Sequence, residues 1–409
     1  MKFPRHALAV AAVLAATAFP AAAQLKAEVI HWWTSGGESA AAKTLAEAYK
    51  AQGGQWVDTA IALGEQARSV AINRIAGGNP PTAAQFNTTQ QFRDIVEQGL
   101  LNNVDDVAKR DGWDKFLPET VLQAIRVNGH YYAAPVNIHN MSWFWFSKAA
   151  FKKAGIAEEP KSFDELFAAL DKLKAAGLVP LAHGGQPWQD GIVFTATLAH
   201  YGGRDLYLKV FRDRDPKAIM GEDFKKVLLA FKRLQSYTDK GSPGRNWNDA
   251  TAMLINGRAG VQIMGDWAKG EFAQAKQEAG KDYGCSFGFG PNAPYIVQGD
   301  VMVFPKTSKP DQIKAQQLLA SVITQPATQV AFSQKKGSIP IRTDVDVSKL
   351  DICAQMGVAA MKDKARQLGN GEIYITPDQN GALQDVLTSY WNRNIPVEKV
   401  QKDVLSALK

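Results

Sequence analysis

Between Glu28 and Phe86 the residues alternate strand and helix signals, and that order admits few folds. Glu28 to Trp33 reads as a strand. Ala41 to Ala51 reads as a helix, with Leu45 and Tyr49 one turn apart and Gly53-Gly54 as its stop. Val57, Thr59, Ile61 and Leu63 alternate as a second strand. Glu65 to Ala76 is a helix closed by Gly77-Gly78, and Thr82 to Phe86 is a third strand after Pro80-Pro81. A βαβαβ opening implies a largely parallel sheet with helices on its faces.

The pattern resumes further along. "IRVNGHYYAAP" is a hairpin with its turn at Asn128-Gly129, and "MSWFWF" is a strand. "KSFDELFAALDKLKAAG" is a helix with a capping box of Ser162 and Glu165, ended by Gly177. Helices are expected from about Glu222 to Lys240 and from about Asn248. A strand follows over Arg258 to Gly265 and a helix from Asp266. The last hundred residues read as helical, with a break at Lys335 to Asp344. One sheet of so many strands would be unusually large. Two α/β lobes with a cleft between them is the economical arrangement.

The first strand ends on two adjacent tryptophans in "VIHWWTSGGES". Neighbouring strand residues face opposite ways, so one core cannot easily bury both rings. One of Trp32 and Trp33 is therefore expected to face the cleft.

The start of the chain is set apart. Lys2 and Arg5 precede a 13-residue apolar run from Ala7 to Phe19, and Ala21-Ala22-Ala23 offers a small-residue cleavage site before Gln24. This reads as a secretory signal peptide over 1–23, too short to span a bilayer, and it points to export into the periplasm. Its removal takes the formal net charge from +7 to +5. The remaining cations are dispersed among acids without a basic stripe, so nucleic acid is not an expected partner. Cys285 and Cys353 are the only cysteines. They allow one disulfide or two buried thiols, and the sequence leaves both open.

Enzyme and cofactor motifs are missing. There is no GxxxxGK[ST] loop, HExxH, GxSxG or paired CxxC. "GFGPNA" lacks the third glycine of a dinucleotide loop and stands far from the first strand. The six histidines are scattered. No metal and no cofactor is expected. Of the ten tryptophans, Trp247 and Trp267 open helices and Trp188 lies in a Gly/Pro loop. Trp113, Trp143, Trp145 and Trp391 are assigned to packing. Indole planes at element ends suit a sugar, whose C–H faces stack on rings while its hydroxyls need hydrogen bonds. Glu38 after Trp33, and Asp266 before Trp267, stand ready to supply them.

The segments "HWWTSGGESAA", "GGNPPTAAQFN", "NGHYYAAPVNIHN", "NWNDATAMLINGRAGVQIMGDWA" and "QKKGSIPIR" together resemble the periplasmic sugar-binding proteins of ABC importers. These form an extracellular solute-binding protein family that includes maltose-binding proteins, and the likeness is greatest to its glucose/mannose binders. The resemblance implies an α/β, two-lobed periplasmic binding protein with a hinged interlobe cleft. Lobe 1 would comprise 24–136 and 291–341, and lobe 2 would comprise 137–290 and 342–409. It implies a monomer that takes a monosaccharide and docks on an ABC transporter membrane permease. By resemblance the substrate-binding residues are Trp32, Trp33 and Glu38 in the first turn, Gln85 and Asn87 after "GNPP", and Asn137 and His139 in the crossing segment. Trp267 matches a stacking indole, Asp300 a carboxylate for sugar hydroxyls, and Lys336 the lysine before "GSI".

The sequence departs from this pattern in two places. Glucose binders of the type carry a late histidine that stacks on the sugar, whereas here no histidine follows His200 and Tyr374 is the expected substitute. Asn87 stands where a basic or histidine side chain is usual. Both changes widen the expected ligand to another hexose or a polyol. The competing readings are an exported glycoside hydrolase, with Glu38 and Asp300 as its two carboxylates, and a binder of a non-sugar solute such as a polyamine or a metal chelate. Lys336 disfavours the polyamine.

Overall fold

The structure, a computed structural model, describes residues 24–88 and 90–409; the expected signal peptide lies outside the described residues. Two sheets organise it. The first has the order β2-β1-β3-β12-β6, built from β1 (Leu25–His31), β2 (Gly54–Ala60), β3 (Ala83–Asn87), β6 (Ala133–Pro135) and β12 (Asp300–Val303). The second has the order β10-β7-β9-β8, from β7 (Trp143–Ser147), β8 (Val179–Leu181), β9 (Ala259–Met264) and β10 (Tyr283–Ser286). Two small pairs complete the strands: β4 (Arg126–Val127) with β5 (His130–Tyr131), and β11 (Tyr295–Val297) with β13 (Gln367–Gly369).

The expected βαβαβ opening is present. β1 runs parallel to both β2 and β3, and helices Gly36–Ala51 and Gly64–Ala76 make the connections. Beyond it the sheets are less parallel than expected. β12 is antiparallel to β3 and β6, and β7 is antiparallel to β9 and β10. β12 follows β11 of the small β11–β13 pair after two residues, without the helical crossover that makes neighbours parallel. The segment after β6 crosses outward, pairing His139 with Gln298 and Ile138 with Ile339.

Local chemistry explains most boundaries. Asn128 (φ 51°) and Gly129 (φ 86°) take the left-handed conformations of a two-residue hairpin. Ser162 accepts a hydrogen bond from the Glu165 amide at 3.1 Å, but the Glu165 carboxylate reaches the Lys161 amide instead of closing the box on Ser162. The helix from Glu222 ends at Gln235, short of Lys240, and the one after Asp266 spans only Ala268–Gln274. Trp143, Phe144, Trp145 and Phe146 of β7 are all buried, so both faces of the second sheet are covered. Cys285 on β10 and Cys353 on helix Ile352–Lys362 form a disulfide with Cα atoms 6.1 Å apart. Among the described residues no helix is long and apolar enough to cross a membrane.

Candidate ligand-binding site

Strand ends from both sheets converge on one cavity of about 460 Å³. Trp32 follows β1, Asn87 ends β3, Asp300 opens the antiparallel β12, and Trp267 follows β9; all four line it. This is where open α/β sheets expose loops and unpaired backbone to a ligand.

The tryptophan pair divides just beyond the end of β1, one ring to the cavity and one to the core. The chain leaves the sheet at His31, where the Trp32 amide donates to Gln85 Oε1 at 3.0 Å and the Trp33 amide to His31 Nδ1 at 3.2 Å. Trp32 is half-buried on the cavity wall. Trp33 is 1% exposed, with its ring 5.3 Å from Phe332 and 5.5 Å from His31, and so belongs to the core and not to the cavity. Trp188, Trp247 and Trp267 also line the cavity, whereas Trp113, Trp143, Trp145 and Trp391 are buried in packing.

Trp267 is held in a frame of polar groups. Its ring folds back over Gly265, where any Cβ would lie 2.3 Å from the indole, so only glycine fits there. His139 meets it edge-on at 5.3 Å, Trp188 lies at 6.4 Å, and the Lys336 ammonium sits 5.2 Å from its centroid. Asp266, beside it, does not reach the cavity. Its Oδ2 accepts from the Asn140 amide at 3.0 Å, which ties the crossing segment to the end of β9. Burial pushes the Asp266 carboxyl up to about 6, against the pull of His139 and Lys336.

Asp300 is the most restrained carboxylate. The β3–β12 register sets it opposite Asn87 and diagonal to Gln85 on one face. Its Oδ1 accepts from Gln85 Nε2 (2.8 Å) and Asn87 Nδ2 (3.2 Å), and its Oδ2 accepts from Asn137 Nδ2 (2.9 Å). Three amides occupy three of a carboxylate's roughly four acceptor positions. Burial opposes its charge, but His139, with Nδ1 3.5 Å from Oδ2, and Lys336 outweigh it and bring the pKa down to about 2. His139 responds in kind. Burial works against the imidazolium, and Asp300 still raises its pKa above the usual histidine value. Its Nε2 bonds Gln298 Oε1 at 2.9 Å.

Glu38 and Lys336 form a buried pair at 3.1 Å, with Ser35 Oγ donating to the other Glu38 oxygen at 3.2 Å. Burial raises the Glu38 pKa in spite of the lysine. The expected residues therefore separate by position. Trp32, Glu38, Asn87, His139, Trp267, Asp300 and Lys336 line the cavity. Gln85 and Asn137 are buried behind it and orient Asp300 and Trp32. Tyr374 does not line it. The tight turn Gly371–Ile373 brings Asn370 and Glu372 to the wall and leaves Tyr374 half-buried against the core. Arg68 on helix Gly64–Ala76 also lines the cavity, as does Gln298; no motif marked these residues.

Residues 33–329 match the bacterial extracellular solute-binding proteins. A probable sugar-binding periplasmic protein of Brucella melitensis is 40% identical over 418 aligned positions, covering 100% of this chain and 98% of its own. One of the same description from Rhizobium meliloti is 40% identical, covering 100% and 99%. Among solved structures, the bacterial solute receptor AcbH, with an exclusive preference for β-D-galactopyranose, superposes with a TM-score of 0.79 at 20% identity, covering 93% of this chain and 97% of that one. Maltose-bound MalE3 of T. maritima gives 0.77 at 20% identity, covering 94% and 98%. Those superpositions identify the fold as the two-lobed periplasmic-binding-protein fold. With its matched span, full-length relatives and paired sheets around one cavity, this chain belongs to the bacterial extracellular solute-binding proteins, and its place is the periplasm.

Proposed function

We propose that this protein captures a sugar, in the first instance a hexose of the glucose or mannose kind, and delivers it to the membrane permease of an ABC transporter. The observation that carries the reading is the Trp267 indole, fixed over Gly265 on the cavity wall and flanked by the Glu38–Lys336 pair and the restrained Asp300. An apolar plane beside rigid ionic groups matches the two faces of a pyranose. The cavity volume of about 460 Å³ lies within the roughly 300–1,000 Å³ of small-molecule sites. The printed descriptions of the Brucella and Rhizobium relatives support the same class.

Glycoside hydrolysis is less well supported. Gln85, Asn87 and Asn137 hold both oxygens of Asp300, and Glu38 is committed to Lys336 and Ser35, so neither carboxylate is free to attack a sugar carbon or protonate a leaving group. Binding without turnover is the better account.

A thermal-shift panel of D-glucose, D-mannose, D-galactose, D-xylose, sorbitol and mannitol tests the proposal. A sugar at about 100 times its dissociation constant adds about 2.7 kcal/mol of stability. By calorimetry, Trp267→Ala should weaken binding of that sugar by at least about 2 kcal/mol, as a central aromatic anchor would. No shift with any of the six compounds, or unchanged affinity in the variant, overturns the proposal.

A further inference from the structure

We propose that Arg68 and Glu372 form a second hydroxyl-reading pair that bridges the two sides of the cavity and sets its choice among sugars. The inference rests on the sugar reading above and adds the groups that discriminate.

The ionic groups at Trp267 are largely committed. Glu38 is paired with Lys336, and three amides hold Asp300. Arg68 and Glu372 are not. Among the described residues the Arg68 guanidinium has no ion pair and no hydrogen bond; it lies over the Trp32 ring, 5.5 Å from its centroid. The Glu372 carboxylate likewise receives no donor. Both side chains line the cavity, and they come from different parts of the fold. Arg68 stands on the helix after β2 of the first sheet, and Glu372 on the turn after β13. The two charges feel each other. Glu372 is the leading charge favouring Arg68's cation, and Arg68 the leading charge favouring Glu372's anion, each against a larger opposing effect of burial.

A charged donor and a charged acceptor that attract without touching define a gap. A sugar hydroxyl fits it chemically, since one hydroxyl accepts from a guanidinium and donates to a carboxylate at once. Asn370 adds a donor on the same wall: it is 2% exposed and its Nδ2 has no protein partner. Stacking on Trp32 and Trp267 tolerates many sugars. A site that hydrogen-bonds a hydroxyl rejects analogues lacking it far more strongly, because its buried polar groups are then unmatched.

The test uses the full mature chain with Arg68→Met, which keeps the packing over Trp32, and Glu372→Gln. Calorimetry is run with the hexose giving the largest thermal shift in the panel and with its monodeoxy forms. Each variant should bind the parent hexose at least about tenfold more weakly, the loss of one hydrogen bond to a charged group. For one monodeoxy sugar the wild type should already be weak, and the substitutions should add less than about twofold. Parent-hexose affinity within about twofold of wild type in both variants overturns the pair, as does an equal loss across every monodeoxy form. If the wild type binds no sugar at all, the sugar reading itself falls and takes the pair with it.

Discussion

Gly37→Ala is the smallest substitution expected to impair the site. A Cβ built on Gly37 would lie 2.5 Å from the Gly270 carbonyl carbon, 2.7 Å from its Cα and 2.9 Å from its oxygen. Ordinary carbon contacts are about 3.5–4.0 Å. Backbone faces backbone here, so no side chain can turn aside, and the two helices must part by about 1 Å. Helix Gly36–Ala51 carries Glu38, and helix Ala268–Gln274 begins directly after Trp267. The Gly37 amide also donates to Glu271 Oε1 at 2.8 Å, and separation stretches that bond. Overpacking of this kind costs about 1–3 kcal/mol, and a hydrogen bond to a charged group is worth about 1.5–3 kcal/mol. If the closed form bears about 2 kcal/mol of this and an open form escapes it, sugar affinity falls about 30-fold. Calorimetry measures that loss, and small-angle scattering with saturating sugar should give a larger radius of gyration for the variant. Affinity within about twofold of wild type together with identical scattering would refute the reasoning, because it would mean the two helices need not meet for ligand to be held.

The adjacent tryptophans should behave oppositely. Trp33→Ala, emptying a core site against Phe332, should cost about 3–5 kcal/mol in urea unfolding. Trp32→Ala should leave stability nearly unchanged and weaken sugar binding; the reverse outcome would sink the assignment. Asp266 provides a pH test. Its pKa rises to about 6 on folding from an unfolded value of about 3.9. A raised folded pKa contributes stability that is fully present below about pH 4 and lost as pH rises through about 6, here about 3 kcal/mol. Asp300, at about 2 when folded, contributes above about pH 4 and loses that contribution only as pH falls through about 2, outside the Asp266 window. Asp266→Asn should therefore be less pH-dependent than wild type between about pH 4 and 7 in unfolding titrations, and parallel curves would rule the account out.

Several site features were legible from local pattern. Trp247 and Trp267 were expected at helix starts, and from there both reach the wall; Trp188, expected in a loop, reaches it from the first turn of helix Pro187–His200, and Trp32 and Trp33 part just beyond the end of β1. The pattern could not say which of the two adjacent indoles turns inward. That depends on Phe332, nearly three hundred residues away, meeting one face of the strand end. Gln85 and Asn137 were expected by resemblance to contact the ligand, but both are buried behind the cavity wall. Their role in restraining Asp300 follows from the β3–β12–β6 register, which is a long-range pairing. Tyr374 was the expected substitute for a stacking ring because it is the aromatic residue of its loop. A tight turn delivers Asn370 and Glu372 instead.

By itself the amino-acid order determined the α/β alternation, the Asn128-Gly129 turn and the supply of indoles and carboxylates at element ends. These follow from periods of two or 3.6 residues and from turn chemistry that acts over a few positions. Only the tertiary structure decided that Cys285 meets Cys353, that Gly37 abuts Gly270, and that Arg68 and Glu372 line one cavity. Each is a meeting of distant segments, set by how two sheets and their helices pack together, and no short-range periodicity carries that information.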